Sequence, residues 1–272
     1  MEILDVIQQP FMIRAIYGGL IIAILCAILG VFITLKRESF LADAVAHASL
    51  SGVAVAFVLS YQPIIFALAV GIFMAISITY LKKNTHIAPD SLIGMFYAIL
   101  FAIGIVVINL STEYQPELST YLFGSILSIT WTDIIYAVIA LVVTLSILIG
   151  YYNKLVYATF DPEAAYIRGV DINKFEYIIN ILTSIAIIIS IKVVGIILVT
   201  ALLIIPASSA KLIAGKFKHM LPIALIQSII SVLVGILFSY YFETPTGATI
   251  VIVSGSIFIL ILLGNQIKKL ST

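Results

Sequence analysis

One cysteine, three histidines and a charged fraction of 10% are what this 272-residue sequence has least of. The lone Cys26 excludes an intrachain disulfide and any thiolate cluster for zinc or iron–sulfur. Set in an apolar run, it reads as a small buried hydrophobe. A soluble domain carries about 25% charged residues, whereas this chain is 62% hydrophobic with a mean hydropathy of +1.23. Those figures describe a polytopic integral membrane protein. The formal net charge of +1 gives no reason to expect a nucleic-acid partner. Gly-x-x-x-x-Gly-Lys-[Ser/Thr] is absent, so the chain does not hold ATP through a P-loop. His-Glu-x-x-His is also absent, which removes the water-activating glutamate of the common intramembrane zinc proteases. Gly255-Ser256 fails the spacing of a Gly-x-Ser-x-Gly elbow. The first residues, with Glu2 and Asp5 and no basic stretch ahead of an apolar core, do not resemble a cleaved signal peptide. No repeat or low-complexity tract interrupts the chain, so a single transmembrane domain over 1–272 is expected.

What the sequence does have is apolar runs of bilayer length, each needing about 20 residues to cross as a helix. They lie near 11–35, 41–60, 62–82, 91–110, 133–153, 175–191, 194–214, 219–242 and 246–264. Lys192 and Pro206 punctuate the later runs, so one span is expected to be broken or re-entrant and the count is eight or nine. The fold class is therefore all-α, a transmembrane helical bundle. Basic residues mark cytoplasmic loops. With nine spans, every Lys and Arg except Arg14 and Lys192 falls on one side of the membrane. The opposite side holds the linker from Ser111 to Thr132, with Glu113 and Glu117 but no basic residue, and Glu243. This bias puts the N-terminus outside and the C-terminus in the cytoplasm. Trp131, Tyr114 and Tyr121 suit an outer aromatic belt.

Within the second span, Asp43-Ala-Val-Ala-His47 places a carboxylate and an imidazole one helical turn apart, on one face. Ionisable groups at membrane depth are costly and by default mark a pathway or cavity. An aspartate oxygen and a histidine nitrogen suit Zn²⁺ or Mn²⁺. The rest of this helix is small: Ala42, Ala44, Ala46, Ala48, Ser49, Ser51, Gly52, Ala54 and Ala56. Small residues allow close helix approach and leave room for passage. Two ligands do not complete a tetrahedral zinc site, but a two-fold axis supplies two of each. The competing reading is that Asp43 and His47 bond to each other and pack the bundle.

The longest basic-side loop contains Phe160-Asp161-Pro-Glu163-Ala164-Ala165-Tyr-Ile-Arg-Gly169-Val-Asp171. Asp161-Pro162 starts a short helix and Gly169 ends it. Such a helix is a docking surface, an amphipathic cap or a simple connector. His86 and His219, beside lysines, read as solvated; Lys192 as a turn or a snorkelling side chain. Asp90 reads as an N-terminal cap or dipole partner, and Thr244-Pro-Thr-Gly247 as the cap of the last helix. Pro206 is expected to break its helix.

Taken together, these residues resemble the permease subunits of ATP-binding-cassette importers for zinc, manganese or iron(II). The resemblance rests on Glu38-Ser-Phe-Leu-Ala-Asp43-Ala-Val-Ala-His47-Ala-Ser-Leu-Ser-Gly52, Asp90-Ser-Leu-Ile-Gly94, Asp161-Pro-Glu-Ala-Ala-Tyr-Ile-Arg-Gly169, Val194 to Ala207 and Thr244-Pro-Thr-Gly247. It implies that Asp43 and His47 line the metal pathway and that two copies form the pore. It further implies a separate ATPase that docks on the loop of Asp161, Glu163, Ala164 and Gly169, and an extracellular or periplasmic metal-binding protein that delivers the ion. The loop is similar to the Glu-Ala-Ala-x-x-x-Gly motif of importer permeases, without its later Ile-x-Leu-Pro part. No catalytic residue and no permanently bound cofactor is expected, only a transported Zn²⁺ or Mn²⁺. The rivals are a stand-alone ion-coupled metal carrier and an intramembrane metal-dependent hydrolase, the latter lacking a nearby general base.

Overall fold

In hydrocarbon the backbone must satisfy its own hydrogen bonds, so runs of this composition become helices. The computed structural model describes residues 9–110, 129–160 and 162–270 and has no strand among them. The described helices are α1 (Pro10–Leu35), α2 (Phe40–Val58), α3 (Pro63–Asn84), α4 (Pro89–Leu110), α5 (Trp131–Gly150), α6 (Tyr152–Phe160), α7 (Pro162–Ile167), α8 (Ile172–Val194), α9 (Ile196–Ile213), α10 (Phe217–Phe242) and α11 (Thr246–Leu270). All except α6 and α7 are long and apolar enough to cross a membrane, so the described residues contain nine spans. Each span begins and ends within three residues of the boundary read from the sequence. The Ser111 to Ser128 part of the outer linker, with Glu113, Tyr114, Glu117 and Tyr121, lies outside the described residues, as does Asp161.

Punctuation follows backbone chemistry. Pro63, Pro89 and Pro162 open α3, α4 and α7, where the missing N–H has no helical partner to lose. Pro206 does not break its helix as expected: α9 runs through it. One proline deletes one hydrogen bond, and the turns on either side hold the path. The break falls instead at Gly195, whose φ of 81° ends α8 and starts α9.

The chain groups into two compact units. The first comprises the described residues of 1–34, 121–141 and 190–272. Its helices α9, α10 and α11 pack on one another, and a Cβ on Gly235 would run into Ile250. A Cβ on Gly30 would strike the Leu203 carbonyl, so α1 and α9 meet backbone to backbone. Ser228 donates to the Ala23 carbonyl at 3.0 Å and Gln227 to the Ser254 carbonyl at 3.3 Å. Lys192 falls in the last turn of α8, three residues before the Gly195 break, as the turn reading expects, and its Nζ lies 2.6 Å from Asp133 Oδ1. Asp133 also accepts from the Thr130 amide and hydroxyl, while its own amide donates back to Thr130 Oγ1. That reciprocal pair is a capping box at the head of α5. Thr244 Oγ1 meets Thr249 Oγ1 at 2.8 Å, and Ser239 Oγ meets Thr246 Oγ1 at 2.8 Å, fixing the turn ahead of α11.

The second unit comprises the described residues of 35–120 and 142–189. Here α2 lies between α3 and α4. A Cβ on Gly52 would collide with the Phe66 carbonyl of α3, and one on Gly104 of α4 would come within 3.0 Å of Ser51 Cα. The run of Ala, Ser and Gly in α2 is what permits this approach on two sides. Ser49 and Ser51 donate at 2.7 Å to the carbonyls of Ala46 and Ala48, so neither hydroxyl is left unpaired in the interior. Asn180 of α8 donates to Thr79 of α3 at 3.0 Å, both buried.

Candidate metal-pathway site and docking loop

Because α3 and α4 cover two sides of α2, most of α2 is buried, and the positions left open are few. Asp43 is among them, with its side chain 55% exposed; His47, one turn on, is 27% exposed. His47 Nε2 stands 3.6 Å from Asp43 Oδ1. A neutral N–H···O bond is shorter, about 2.7–3.2 Å, so the two groups share a face without satisfying one another. His47 Nδ1 is buried and has no hydrogen-bond partner. The imidazole is held by aromatic edges instead: the Tyr97 ring at 5.5 Å and the Phe101 ring at 5.8 Å, both T-shaped, with Tyr97 and Phe101 stacked on each other.

Asp43 opens into a cavity of about 420 Å³ lined by Phe40, Asp43, Ala44, Asp90, Ile93, Gly94 and Tyr97. From the sequence, Asp90 reads as an N-terminal cap or dipole partner. It does sit in the first turn of α4, but it also faces this cavity. Asp90, Gly94, Tyr97 and Phe101 recur at the spacing of one helix face; that periodicity was the available signal for the wall opposite α2. Among the described residues no three His, Cys, Asp or Glu side chains cluster tightly enough to hold an ion. Within one chain the arrangement therefore offers an oxygen and a nitrogen donor, an open cavity, and an incomplete coordination shell. The remaining histidines lie elsewhere: His86 is exposed in the turn before α4 and His219 is exposed near the start of α10.

In the second feature, α7 runs from Pro162 to Ile167 and ends in a Schellman motif. The Gly169 amide donates to the Tyr166 carbonyl at 3.0 Å and the Val170 amide to the Ala165 carbonyl at 2.9 Å. Gly169 has φ 66°, and nothing lies within 4 Å of where its Cβ would be. The restriction there is backbone conformation, not space. Ala165 is fully buried and Ala164 partly buried, while Glu163 is exposed. Arg168 lies 4.3 Å from the Tyr157 ring centre and donates to its hydroxyl at 2.8 Å, tying the end of α7 to α6. Tyr166 and Ile167, which motif spacing did not single out, are 83% and 84% exposed. Two large apolar side chains at the tip of a capped loop helix form a knob left uncovered among the described residues.

The ABC 3 transport family model matches residues 8–265. The high-affinity zinc uptake system membrane protein ZnuB of Haemophilus influenzae is 34% identical over 252 residues, covering 93% of this chain and 97% of that protein. The manganese transport system membrane protein MntC of Halalkalibacterium halodurans is 31% identical over 256 residues, covering 94% and 88% respectively. Among solved structures, PsaBC from Streptococcus pneumoniae in complex with Fab superposes with a TM-score of 0.83 at 30% identity, covering 95% of this chain and 93% of that one.

Proposed function

We infer the function from a premise the matches establish: this chain belongs to the ABC 3 transport family. It is a multi-pass membrane protein, the permease subunit of a metal ABC importer, and not itself an enzyme. On that base we read Asp43 and His47 as ligands to a passing divalent ion, zinc or manganese, moving inward through a pore made by two copies of the chain. The observation that carries this reading is the pair's geometry. Two donors share the open face of a mostly buried helix, 3.6 Å apart and unsatisfied by each other. One oxygen and one nitrogen leave a divalent ion under-coordinated, and a second copy adds the same two without new sequence. Waters complete the larger shell of a manganese ion.

The whole of 8–265 falls in one family match, which supports treating the chain as one permease domain. The distribution of lysines and arginines supports an outside N-terminus and a cytoplasmic C-terminus. On the cytoplasmic side, the α7 loop with Glu163, Ala164 and Gly169 is the docking point for a separate ATPase, with Tyr166 and Ile167 as its apolar contact. Asp161 is assigned to the same loop by the sequence motif alone. An extracellular or periplasmic metal-binding protein delivers the ion to the opposite face.

The deciding measurement is metal content of the purified permease–ATPase complex, wild type against Asp43→Ala. Loss of bound zinc or manganese in the variant, with assembly intact, is expected. Equal metal content in both would overturn the ligand assignment. A complex that imports metal with no ATPase present would favour the stand-alone carrier instead.

A further inference from the structure

Within the second unit, one side chain ties together two helix starts that the sequence separates by more than a hundred residues. Lys82, in the last turn of α3, places Nζ 2.5 Å from Glu38 Oε1 and 2.5 Å from Glu176 Oε1. Glu38 is 2% exposed and its Oε2 has no partner, so Lys82 is the cation that neutralises it in the interior. Glu176 is 15% exposed. The turn that presents Glu38 is conformationally unusual: Arg37, just before it, has φ 60°. Such a backbone persists where the surroundings fix it.

What each carboxylate belongs to gives the cluster its meaning. Glu38 immediately precedes Ser39, the N-cap of α2, and its carbonyl accepts from the Leu41 amide at 2.9 Å. Asp43 lies five residues on, in the first turn of the helix that this turn leads into. Glu176 is in the second turn of α8, whose start is capped by Asp171 Oδ1 accepting from the Lys174 amide at 3.2 Å. Asp171 follows Gly169 by two residues, so α8 begins where the α7 loop ends. Lys36 sits beside the same group, feeling the attraction of Glu176 and Glu38 and the repulsion of Lys82, with burial the largest influence on it.

We propose that Lys82 is a coupling strut: its paired bonds to Glu38 and Glu176 transmit movement of the α7–α8 loop to the start of α2, and so to Asp43 and His47. The proposal rests on the reading of that loop as the ATPase contact and of α2 as the metal-bearing helix. A helix moves nearly as a rigid body, and ion pairs in the interior exchange partners in discrete steps instead of stretching, which is how a small displacement becomes a change of state. The role is positional, since Lys82 touches neither ATP nor metal.

The test uses the full permease–ATPase complex reconstituted in liposomes, reading ATP hydrolysed per zinc or manganese ion imported, together with the thermal midpoint of the complex. Glu176→Gln leaves the Glu38–Lys82 pair whole and cuts only the link to α8. It is expected to raise ATP consumed per ion by about threefold or more, the scale on which single residues alter coupling between sites, with the midpoint near wild type. The neutral triple variant Glu38→Gln/Lys82→Met/Glu176→Gln removes the three paired charges together and is expected to assemble and to uncouple further. Lys82→Arg, which keeps both pairs, is expected to retain the wild-type ratio. An unchanged ratio in both Glu176→Gln and the triple variant would reduce the cluster to a structural staple and overturn the proposal. Wild-type complex showing no ATP-driven uptake would instead remove the reading on which the proposal rests. Asp43→Ala separates the two failures, because it abolishes uptake on the functional reading alone.

Discussion

Two groups of ionisable residues in the same unit solve the membrane's charge problem in opposite ways. Glu38, Lys82 and Glu176 are drawn together at 2.5 Å, with Glu38 almost wholly buried. Asp43 and His47 stand 3.6 Å apart, open to a cavity, with one imidazole nitrogen unpartnered. The first arrangement answers its charges internally, so stranding one buried member without its partner is expected to cost stability. The second leaves its donors unsatisfied by each other, so on the proposed reading its removal is expected to show as lost metal binding. A buried charge that loses its partner is costly; a polar pair left unsatisfied on an open face fits the proposed role as ligands to a passing ion.

The contrast breaks most visibly at the open pair. Asp43→Ala or His47→Ala is expected to abolish zinc or manganese uptake while membrane expression and complex assembly stay near wild type, read by radiometal uptake and by immunoblot of the purified complex. A tandem fusion with one wild-type and one Asp43→Ala copy is expected to lose most of its transport, because a shared site fails when either half is missing. Half-normal transport by that fusion would mean each copy conducts alone.

Next comes the closed cluster. Lys82→Met strands Glu38 in the interior, and removing one partner of a buried pair costs about 3–5 kcal/mol. The effect is expected near the lower end, since Lys82 keeps 28% of its side-chain surface. A lowered thermal midpoint in detergent, largely recovered by adding Glu38→Gln and Glu176→Gln, would sharpen the distinction; a normal midpoint in Lys82→Met would erase it.

The α7 loop sits between these extremes. Tyr166→Ser with Ile167→Ser removes only exposed apolar surface, so the permease is expected to fold normally but to lose co-purification of its ATPase. Gly169→Val has open space around it but must adopt a left-handed backbone at a cost of about 1–2 kcal/mol. It is expected to unwind the Schellman turn and weaken ATPase stimulation without changing metal content. Retained ATPase capture by the double serine variant would move the docking surface elsewhere.

The smallest effect is in pH. Burial holds Lys36 below its ordinary value of 10.5 despite nearby Glu176 and Glu38. The unfolded chain then binds more protons than the folded one between the depressed value and 10.5, so stability rises with pH across that window. Below the depressed value the penalty is present in full. Lys36→Met is expected to remove this alkaline rise, measured as the thermal midpoint against pH in wild type and variant. An identical slope in both would assign it to another group.

Much of the architecture was legible because hydrocarbon leaves the backbone so few choices. Eight or nine spans, the proline that opens α7, the end of that helix at Gly169 and the burial of Cys26 all follow from composition and local backbone chemistry. Asp43 and His47 could be put on one face from a spacing of four. The resemblance to importer permeases, carried by the same blocks, agreed with the family match over 8–265. Pro206 was misread because one lost hydrogen bond does not end a helix held by its neighbours. The ion pair of Lys192 was not legible because its partner, Asp133, lies 59 positions away and no local pattern connects them.

Sequence alone thus determined what is dictated within a few helical turns: where the apolar spans lie, which residues share a face, and which polar side chains that face carries. Only tertiary structure decided which faces remain open and which charges meet. That Asp90 and Tyr97 wall the cavity of Asp43, that Tyr166 and Ile167 stand clear of the loop, and that Lys82 joins Glu38 to Glu176 are all set by contacts between helices distant in the chain. Periodicity fixes a side chain's direction around its own axis, but its partner is fixed by the packing of another helix, and that packing is a property of the whole fold.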